Sequence, residues 1–576
     1  MNSHVKASEF TADAHDAWLD RNRHALKFVS SAKVIPDRAS DRFAVFNDYE
    51  APVDHYMVFD GADAPVLALK EGCTYDTLSG TLGREKADAY LKTFQEQGLF
   101  AHAEPPAERI ERVRSAYNAQ GRGAGLRDDL EAKLVRYKAD GSTPWSAFSP
   151  HPEAPAVEVS LLITDACNLR CRYCHVMDSD NVLPAVPKTG VMSEEVLQDF
   201  ARTFIGFIKQ RWGTGCLNVV FFGGQPSLRG KVRAFLFEAA DYLASQAARE
   251  KVFIRFSIDD NGTQIDDELI AFFTKYDFDV SLSFDPPVAA NDWQRPFPGK
   301  DPKSGATIEE GLRRLVQSDV RVGLRATVSD RNQDHVYESV VKYSGWGLRS
   351  ASFIPMQDVA HGRTVAGVRA PDPAVLSQQY TRAFEHVLDL FEKTGAVFDF
   401  GPVTSILHRI ANGGEIQTCG MGDVYFAVDP RGGAYSCHRD LTSDFFIGDV
   451  SEPACVDALL HPPLKTTCPQ VTSFYDPSLF CSNTGCCNCE PGTPAACRDC
   501  PILAFCGGSC PAASFAHYGC TNIGLSVLVD SDPARGDERC RWSKDFVSGL
   551  FWRFIDEKPG SVFQRYLAAL FGQVMP

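Results

Sequence analysis

Residues 157–174 read VEVSLLITDACNLRCRYC, an apolar run that leads directly into three closely spaced cysteines. The run has the composition and length of a buried strand. Cys167, Cys171 and Cys174 follow it with the spacing C-x3-C-x2-C. Three thiolates on one short loop can bind three irons of a cubane cluster and leave the fourth iron open to a small molecule. A zinc site, which usually pairs two C-x2-C units, and three unrelated thiols are the alternatives.

Five more apolar runs follow the first, and segments of helical length separate them. The six strand candidates are VEVSLLIT, LNVVFFGG, VFIRFSID, DVSLSFD, VRVGLRATV and ASFIPM. Strands that alternate with helices predict an α/β fold with a parallel sheet and right-handed crossovers, here a partial (β/α)6 TIM-type barrel. In such barrels the functional groups lie at the carboxyl ends of the strands, where the cysteine loop also falls.

The composition narrows the class of protein. The chain has 576 residues and a formal net charge of -16, which argues against nucleic acid as the main ligand. The first residues are charged throughout and contain no apolar segment typical of a signal peptide or membrane anchor, so we expect a cytoplasmic protein. Of 19 cysteines, 14 lie between Cys419 and Cys540, a density that indicates metal or redox chemistry.

The cysteine loop, with Tyr173 before its last cysteine, resembles the signature loop of the radical S-adenosylmethionine (SAM) superfamily. The resemblance implies a 4Fe–4S cluster on the three cysteines. It also implies one-electron reduction of the sulfonium of SAM and release of a 5′-deoxyadenosyl radical that abstracts hydrogen.

Segments at the ends of later strands extend the resemblance. GGQP at 223–226 resembles the glycine-rich motif that meets the methionyl amino group, although Gln225 stands where the family commonly has Glu; an ordinary turn is the alternative. Asn-Gly-Thr at 261–263 and SLSFDP at 281–286 resemble the next two motifs. Arg325 is a candidate partner for the methionyl carboxylate, or a solvated arginine. The cofactor-binding residues implied are Tyr173, Gly223, Gly224, Gln225, Pro226, Asn261, Ser283, Asp285 and Arg325.

The cysteine-rich region resembles the SPASM extension of radical enzymes, which carries two auxiliary 4Fe–4S clusters. The resemblance implies one cluster on Cys497, Cys500, Cys506 and Cys540, and another on Cys419, Cys437 and Cys510. The second set lacks a fourth cysteine, so its last iron is open to substrate or capped by a cysteine from the insertion that precedes Cys497. Cys481, Cys486, Cys487 and Cys489 lie in an insertion whose role the sequence leaves open.

The sequence divides into six parts. We predict an N-terminal extension (1–40), a small winged-helix-like α+β module (41–110), a linker (111–155), the barrel (156–400), the SPASM domain (401–545) and a helical C-terminal segment (546–576). The module resembles the peptide-recognition elements of maturases that act on ribosomally made peptides, and its edge strand could capture a leader peptide by strand addition. A purely structural module is the alternative.

Together these features predict a radical SAM maturase that acts on a precursor peptide or protein, similar to types such as the His-Xaa-Ser system, and receives electrons from a donor such as flavodoxin or ferredoxin. The first alternative is a formylglycine-generating sulfatase maturase. Such relatives have an Asp base where this chain has His438, with Asp440 two residues later, and this substitution counts against the alternative. His438 could itself be a general base, so His438 and Asp440 are the candidate catalytic residues; a surface histidine or one that only neighbours a cluster is the other interpretation of His438. The second is a non-catalytic iron–sulfur electron carrier, which would not need the SAM motifs. We predict neither a nucleic acid nor a membrane partner.

Overall fold

The computed structural model describes residues 19, 23–28, 32–37, 39–47, 56–96, 99–100, 155–174, 190–356, 367–412, 420–439, 441, 445–461, 502, 505 and 536–571. Two sheets organise this part of the chain. The small sheet has three antiparallel strands in the order β1-β2-β3, and the large sheet has ten in the order β10-β9-β8-β7-β6-β5-β4-β11-β12-β13. The strands are β1 Ala32–Pro36, β2 Phe43–Asn47, β3 Met57–Phe59, β4 Ala156–Thr164, β5 Cys216–Gly223, β6 Phe253–Asp260, β7 Asp279–Ser283, β8 Arg321–Val328, β9 Ser350–Pro355, β10 Asp399–Phe400, β11 Tyr425–Val428, β12 Gly433–Tyr435 and β13 Phe446–Asp449.

The prediction of six parallel strands is confirmed. Strands β4 to β9 coincide with the six apolar runs and pair in parallel, each with the next along the chain. The fold is therefore mixed α/β with a large parallel sheet. The α-helices are α1 Ala68–Glu71, α2 Tyr75–Leu82, α3 Arg84–Glu96, α4 Glu194–Trp212, α5 Lys231–Glu250, α6 Asp267–Lys275, α7 Val288–Gln294, α8 Gly305–Val316, α9 Val336–Trp346, α10 Pro373–Thr394, α11 Gly401–Asn412, α12 Cys455–Leu460, α13 Gly536–Asp556 and α14 Val562–Phe571. None of these described helices combines the length and apolar character needed to cross a membrane.

Helix α4 shows why the helices form where the sequence predicts them. Ser193 caps its N-terminus by accepting a hydrogen bond from the Val196 N–H at 3.3 Å, and Gly213 ends it with a φ of 83°. Its buried side chains, including Phe200 and Phe204, recur every three or four residues and face the sheet. Each such aromatic side chain contributes about 1.5–3 kcal/mol on burial.

The two faces of the parallel sheet differ. On β4, Val157 and Val159 are buried in the main core, whereas Glu158 and Ser160 point to the opposite face. That inner face lines a cavity of about 1140 Å³, and the neighbouring strands also contribute polar side chains to it, such as Asp259. Parallel strands buried on both faces are usually apolar throughout, so the polar residues on this inner face agree with an internal space rather than a packed core.

Strand β1 lies within the predicted N-terminal extension but pairs along its length with β2, so the small sheet begins before the predicted boundary at residue 41. Side chains of β2 serve two cores: Phe43 packs into the core of the small module and Phe46 into the main core. The Trp552 indole N–H also donates to the Pro36 carbonyl at 3.1 Å. The module is thus packed against α13.

Part of the predicted SPASM region belongs to the large sheet. Strand β11 pairs in parallel with β4, and β12 and β13 continue the sheet in antiparallel orientation. Backbone hydrogen bonds between β11 and β4, which depend on no side-chain pattern, join segments far apart in the chain. The predicted barrel boundary at residue 400 therefore does not coincide with the edge of the sheet.

Candidate functional site

The three cysteines of the first loop lie immediately beyond β4. All three are half-buried, and the Leu169 N–H points to the Cys167 sulfur at 3.4 Å. Burial raises the pKa of the Cys167 thiol and raises that of Cys171 to about 12, while the positive charge of Arg295 acts in the opposite direction. Iron would displace the thiol protons on binding, because it takes the thiolate.

Two glycines let the loop after β5 approach the cysteine loop. The Gly224 N–H donates to the Thr164 carbonyl at 2.8 Å, and the Gln225 N–H donates to the Ala166 carbonyl at 2.7 Å. A Cβ on Gly223 would lie 2.2 Å from the Thr164 oxygen, and one on Gly224 would lie 2.1 Å from the Ala166 oxygen. Any larger residue would push these two loops apart.

The Asn-Gly-Thr turn after β6 connects to both loops. The Gln225 side-chain oxygen accepts a hydrogen bond from the Asn261 N–H at 3.0 Å. The Asn261 amide donates to Asn168 Oδ1 at 2.9 Å and lies 3.9 Å from the Cys167 sulfur. Asn168 in turn donates to the Thr263 hydroxyl at 2.8 Å. The three segments predicted from separate motifs therefore form one hydrogen-bonded unit.

Asp260, the last residue of β6, anchors this unit to the sheet, and it was not predicted from the sequence. Its carboxylate is fully buried, accepts a hydrogen bond from the Gly262 N–H at 2.7 Å and contacts the Ser227 hydroxyl. Ser227 accepts a further hydrogen bond from the Gln225 amide at 2.7 Å. Burial raises the pKa of Asp260, against the effect of these hydrogen bonds. Its position directly before the Asn-Gly-Thr turn is the feature of the sequence that could have identified it.

Tyr173 and Asp285, both predicted to bind the cofactor, contact each other. The Tyr173 hydroxyl donates to Asp285 and accepts a hydrogen bond from Arg295 Nη1 at 2.8 Å. Asp285 is fully buried and also accepts hydrogen bonds from the Gln294 amide at 2.7 Å and the Thr327 N–H at 2.8 Å. These donors make Asp285 the anchor of the cysteine loop on the α7 side. Nothing in the sequence singled out Arg295 or Gln294.

Ser283 and Arg325 lie side by side on the next two strands, since they are register partners of β7 and β8. Arg325 reaches into the cavity and contacts Asp259 at 3.4 Å. Glu158 lines the same space and remains accessible to solvent there. The protein around the cavity reduces the solvation of its carboxylate and so raises its pKa, and the negative charge of Asp259 raises it further. Arg325 is thus already paired with a carboxylate in this structure.

His438 lines the same cavity from the segment after β12. Its Nδ1 contacts the Tyr425 hydroxyl, which also lies 2.9 Å from the Ser160 hydroxyl, and its ring centroid is 4.9 Å from that of Phe222. Tyr425 was not predicted. The adjacent Cys437 is buried and also borders the cavity.

Several predicted residues lie outside the described residues: Asp440, Cys419, Cys497, Cys500, Cys506 and Cys510. The backbone of Cys540 belongs to α13, but its side chain is outside the described set. Within the described ranges, no three His, Cys, Asp or Glu side chains are grouped so that they could hold one metal ion. A cubane cluster makes a different demand, because each of its irons takes its own thiolate. Three half-buried thiols on one loop, close to Arg295, fit that demand.

Comparisons with known proteins agree with this geometry. Residues 161–338 match the family model described as the Radical SAM superfamily. The match includes the three cysteines, the glycine-rich loop, the Asn-Gly-Thr turn and Arg325. The chain therefore carries a radical SAM enzyme domain, and the alternative of a non-catalytic electron carrier is not favoured.

Two similar relatives are named serine-type anaerobic sulfatase-maturating enzymes. The one from Klebsiella pneumoniae is 28% identical over 213 residues, which are 36% of this chain and half of that relative. The one from Klebsiella aerogenes is 23% identical over 386 residues, 64% of this chain and 82% of that relative. A solved structure, native anSMEcpe with bound AdoMet and Cp18Cys peptide, is 18% identical with a TM-score of 0.51; the match covers 69% of this chain and 98% of that chain. At that identity the structural match shows the fold.

Proposed function

Proceeding from the radical SAM domain at residues 161–338, we propose that this chain cleaves SAM reductively and uses the radical to modify a peptide or protein. The observation that carries the proposal is the hydrogen-bonded unit of three loops at the ends of β4, β5 and β6. Chance turns would not be expected to interlock in this way. In the proposal, the unit holds the cluster ligands and the SAM-binding loop in a fixed relation.

Each part of the unit has a role in the proposal. Cys167, Cys171 and Cys174 hold a 4Fe–4S cluster, and the backbone of residues 223–226 receives the methionyl amino group of SAM. When bound, the cluster and SAM supply a 5′-deoxyadenosyl radical that abstracts hydrogen. Arg295 stabilises negative charge on the thiolates, since its guanidinium is buried beside Tyr173 and lowers the pKa of both Cys171 and Cys167 relative to burial alone.

The inner cavity supports a peptide-sized substrate. Its volume of about 1140 Å³ is larger than that of most small-molecule sites, and its lining combines apolar residues with polar and charged ones. Arg325 and His438 both border it. Backbone and side-chain groups of an extended peptide would find hydrogen-bonding partners along such a surface.

We favour a precursor peptide as the substrate because of the small module. Strands β1 and β3 each pair only with β2 among the described residues, so both are edge strands. On β3 the exposed side chain of Val58 offers an apolar contact for a further strand. A leader peptide could extend this sheet. Its binding to the intact chain, measured by fluorescence anisotropy, should be lost when Val58 is replaced by proline, because a proline on an edge strand blocks pairing with a further strand.

A sulfatase maturase is the second candidate, and the similarity to two enzymes of that name supports it. In this reading the contact between His438 and Tyr425 replaces the aspartate base of the relatives, and the substrate is a sulfatase segment with a target Ser or Cys. Incubation of the reconstituted enzyme with such a peptide and SAM, followed by mass spectrometry, tests it. Formylglycine in the product would establish this candidate over the first.

The central proposal is tested by reconstitution under anaerobic conditions. We propose that Cys497, Cys500, Cys506 and Cys540 hold one auxiliary cluster and that Cys419, Cys437 and Cys510 hold another. The native chain should then bind about twelve irons, and a variant with Cys167, Cys171 and Cys174 replaced by alanine about eight. The variant should form no 5′-deoxyadenosine. Undiminished cleavage in it would refute the proposal.

A further inference from the structure

The cysteine loop carries positive charge on its exposed side. Cys171 is flanked by Arg170 and Arg172, and both arginines are exposed. Backbone hydrogen bonds from these two arginines, to the Pro296 carbonyl at 2.8 Å and the Gln294 carbonyl at 2.9 Å, fix the loop against the segment after α7. The whole chain has a net charge of -16, so this local positive charge contrasts with the negative charge of the chain as a whole.

An aromatic ring holds two of these charges in place. The Arg172 guanidinium lies 4.6 Å from the centre of the Trp293 ring, and the Arg331 guanidinium lies 3.6 Å from it. Arg172 Nε also donates to the Trp293 carbonyl at 2.8 Å. Cation–π contacts and carbonyl acceptors orient a guanidinium without neutralising it. The two arginines therefore keep their full charge at fixed positions.

Arg369 is a fourth exposed arginine on a segment that lies beside Trp293 and Arg331. Its carbonyl accepts the Asp330 N–H at 3.0 Å, and a Cβ on Gly367, two residues earlier, would lie 3.5 Å from the Trp293 ring. We call Arg170, Arg172, Arg331 and Arg369 around Trp293 the basic face. Asp330 is an exposed carboxylate beside it, but among the described side chains none of the four arginines forms an ion pair with a carboxylate. Elsewhere in the described chain exposed arginines commonly do pair, as Arg229 with Asp266, Arg313 with Glu310 and Arg321 with Asp277.

We propose that the basic face is the docking surface for an acidic one-electron donor protein of the flavodoxin or ferredoxin kind. The inference rests on the proposed function, since it needs a cluster on Cys167, Cys171 and Cys174. The reduced donor gives up one electron and is thereby oxidised, and this electron reduces the cluster beside the basic face. The same electron is consumed when one SAM is cleaved to methionine and the 5′-deoxyadenosyl radical. Opposite charges on the two proteins speed encounter and fix orientation.

A charge-reversal variant tests the docking directly. Arg331→Glu combined with Arg369→Glu changes the face without touching the cysteine loop. Binding of oxidised flavodoxin to the reconstituted full chain is measured by calorimetry at low and high salt. We expect the double variant to bind about tenfold or more weakly at low salt, with the difference shrinking at high salt because ions screen the charges. Arg84→Glu, an exposed change of the same charge at the start of α3, is the matched control and should bind as the native chain does.

Electron delivery gives the second measurement. With reduced flavodoxin as donor, the double variant should show a raised KM for flavodoxin in 5′-deoxyadenosine formation. With dithionite, a small reductant that needs no docking, its rate should equal the native rate, which also establishes that the variant is folded. Equal flavodoxin affinity in the double variant and the native chain would overturn the docking proposal, as would a change confined to peptide-substrate affinity. If dithionite drives no cleavage even in the native chain, the proposed function fails, whereas the binding comparison still judges the basic face.

Discussion

The side-chain oxygen of Gln225 accepts a hydrogen bond from the Asn261 N–H at 3.0 Å, so one residue of the glycine-rich loop closes onto the next loop of the sheet. Its amide donates to Ser227, and Ser227 contacts the buried Asp260. A glutamine can serve both contacts because it offers an acceptor and a donor. A glutamate, common at this position in the family that the motif resembles, offers only acceptors when ionised.

This relationship predicts the effect of Gln225→Glu. The substitution places a second carboxylate in the buried network of Asp260. It also removes the amide that donates a hydrogen bond to Ser227. We expect a loss of about 2–4 kcal/mol in the free energy of unfolding, measured with urea, and weaker SAM binding by titration. Adding Asp260→Asn removes one of the two charges and should recover part of both losses. No recovery in the double variant would mean that charge is not the cause.

A methyl group on Gly224 should separate the two loops that form the proposed SAM site. Its Cβ would lie 2.1 Å from the Ala166 carbonyl oxygen, which is fixed backbone. Gly224→Ala is therefore expected to lower SAM cleavage at least about a hundredfold, since small displacements at a reacting site have effects of that size. Gly549→Ala is the control, because its Cβ would meet no atom within 4 Å and it lies within α13. Native activity in Gly224→Ala would contradict the close approach of the loops.

The Tyr425 hydroxyl should matter for substrate modification and not for SAM cleavage. It contacts His438 and Ser160 at the cavity wall, away from the cysteine loop. If His438 accepts a proton from the substrate, Tyr425→Phe should slow peptide modification by about tenfold to a hundredfold by freeing the ring that the hydroxyl orients. Formation of 5′-deoxyadenosine should persist. Tyr435→Phe, which removes a hydroxyl bound to Asp429 at 3.1 Å, is the matched control; equal effects of the two variants would point to general destabilisation.

Asp266 should make stability depend on pH at the acid end. Burial opposes ionisation, but hydrogen bonds from Arg233 and Arg229 prevail and lower the pKa of Asp266 to about 2. A lowered pKa means that the native state favours the charged form, so the stabilisation is present above pH about 4 and is lost as the pH falls toward 2. Asp266→Asn should lower the free energy of unfolding at pH 7 by about 2 kcal/mol, and most of this difference should be gone by pH 2.

Urea unfolding of the native chain and the variant across this pH range measures the difference. The asparagine can still accept the N-terminal hydrogen bond of α6 from the Leu269 N–H, so loss of the helix cap does not obscure the result. A difference independent of pH would contradict the assignment of the pKa to the arginine contacts.

The sequence predicted the parts of the site that depend on local pattern. Apolar runs marked all six parallel strands, and the segments of helical length between them indicated the helices. The cysteine, glycine and Asn-Gly-Thr motifs were visible because each needs particular residues at short spacing. By contrast, β1 escaped the prediction, since its short sequence AKVIP is recognisable as a strand only from its pairing with β2.

By itself the sequence determined a cysteine loop that follows a buried strand in an α/β chain, because covalent spacing and periodicity are local properties. Only the tertiary structure decided that Arg295, distant in sequence, lies beside Tyr173 and that Asp285 anchors the loop. It alone also brought Tyr425 to His438 and placed β11 against β4. Such contacts depend on how the sheet is ordered and which faces are buried, and many side chains could satisfy them, so no short pattern encodes them.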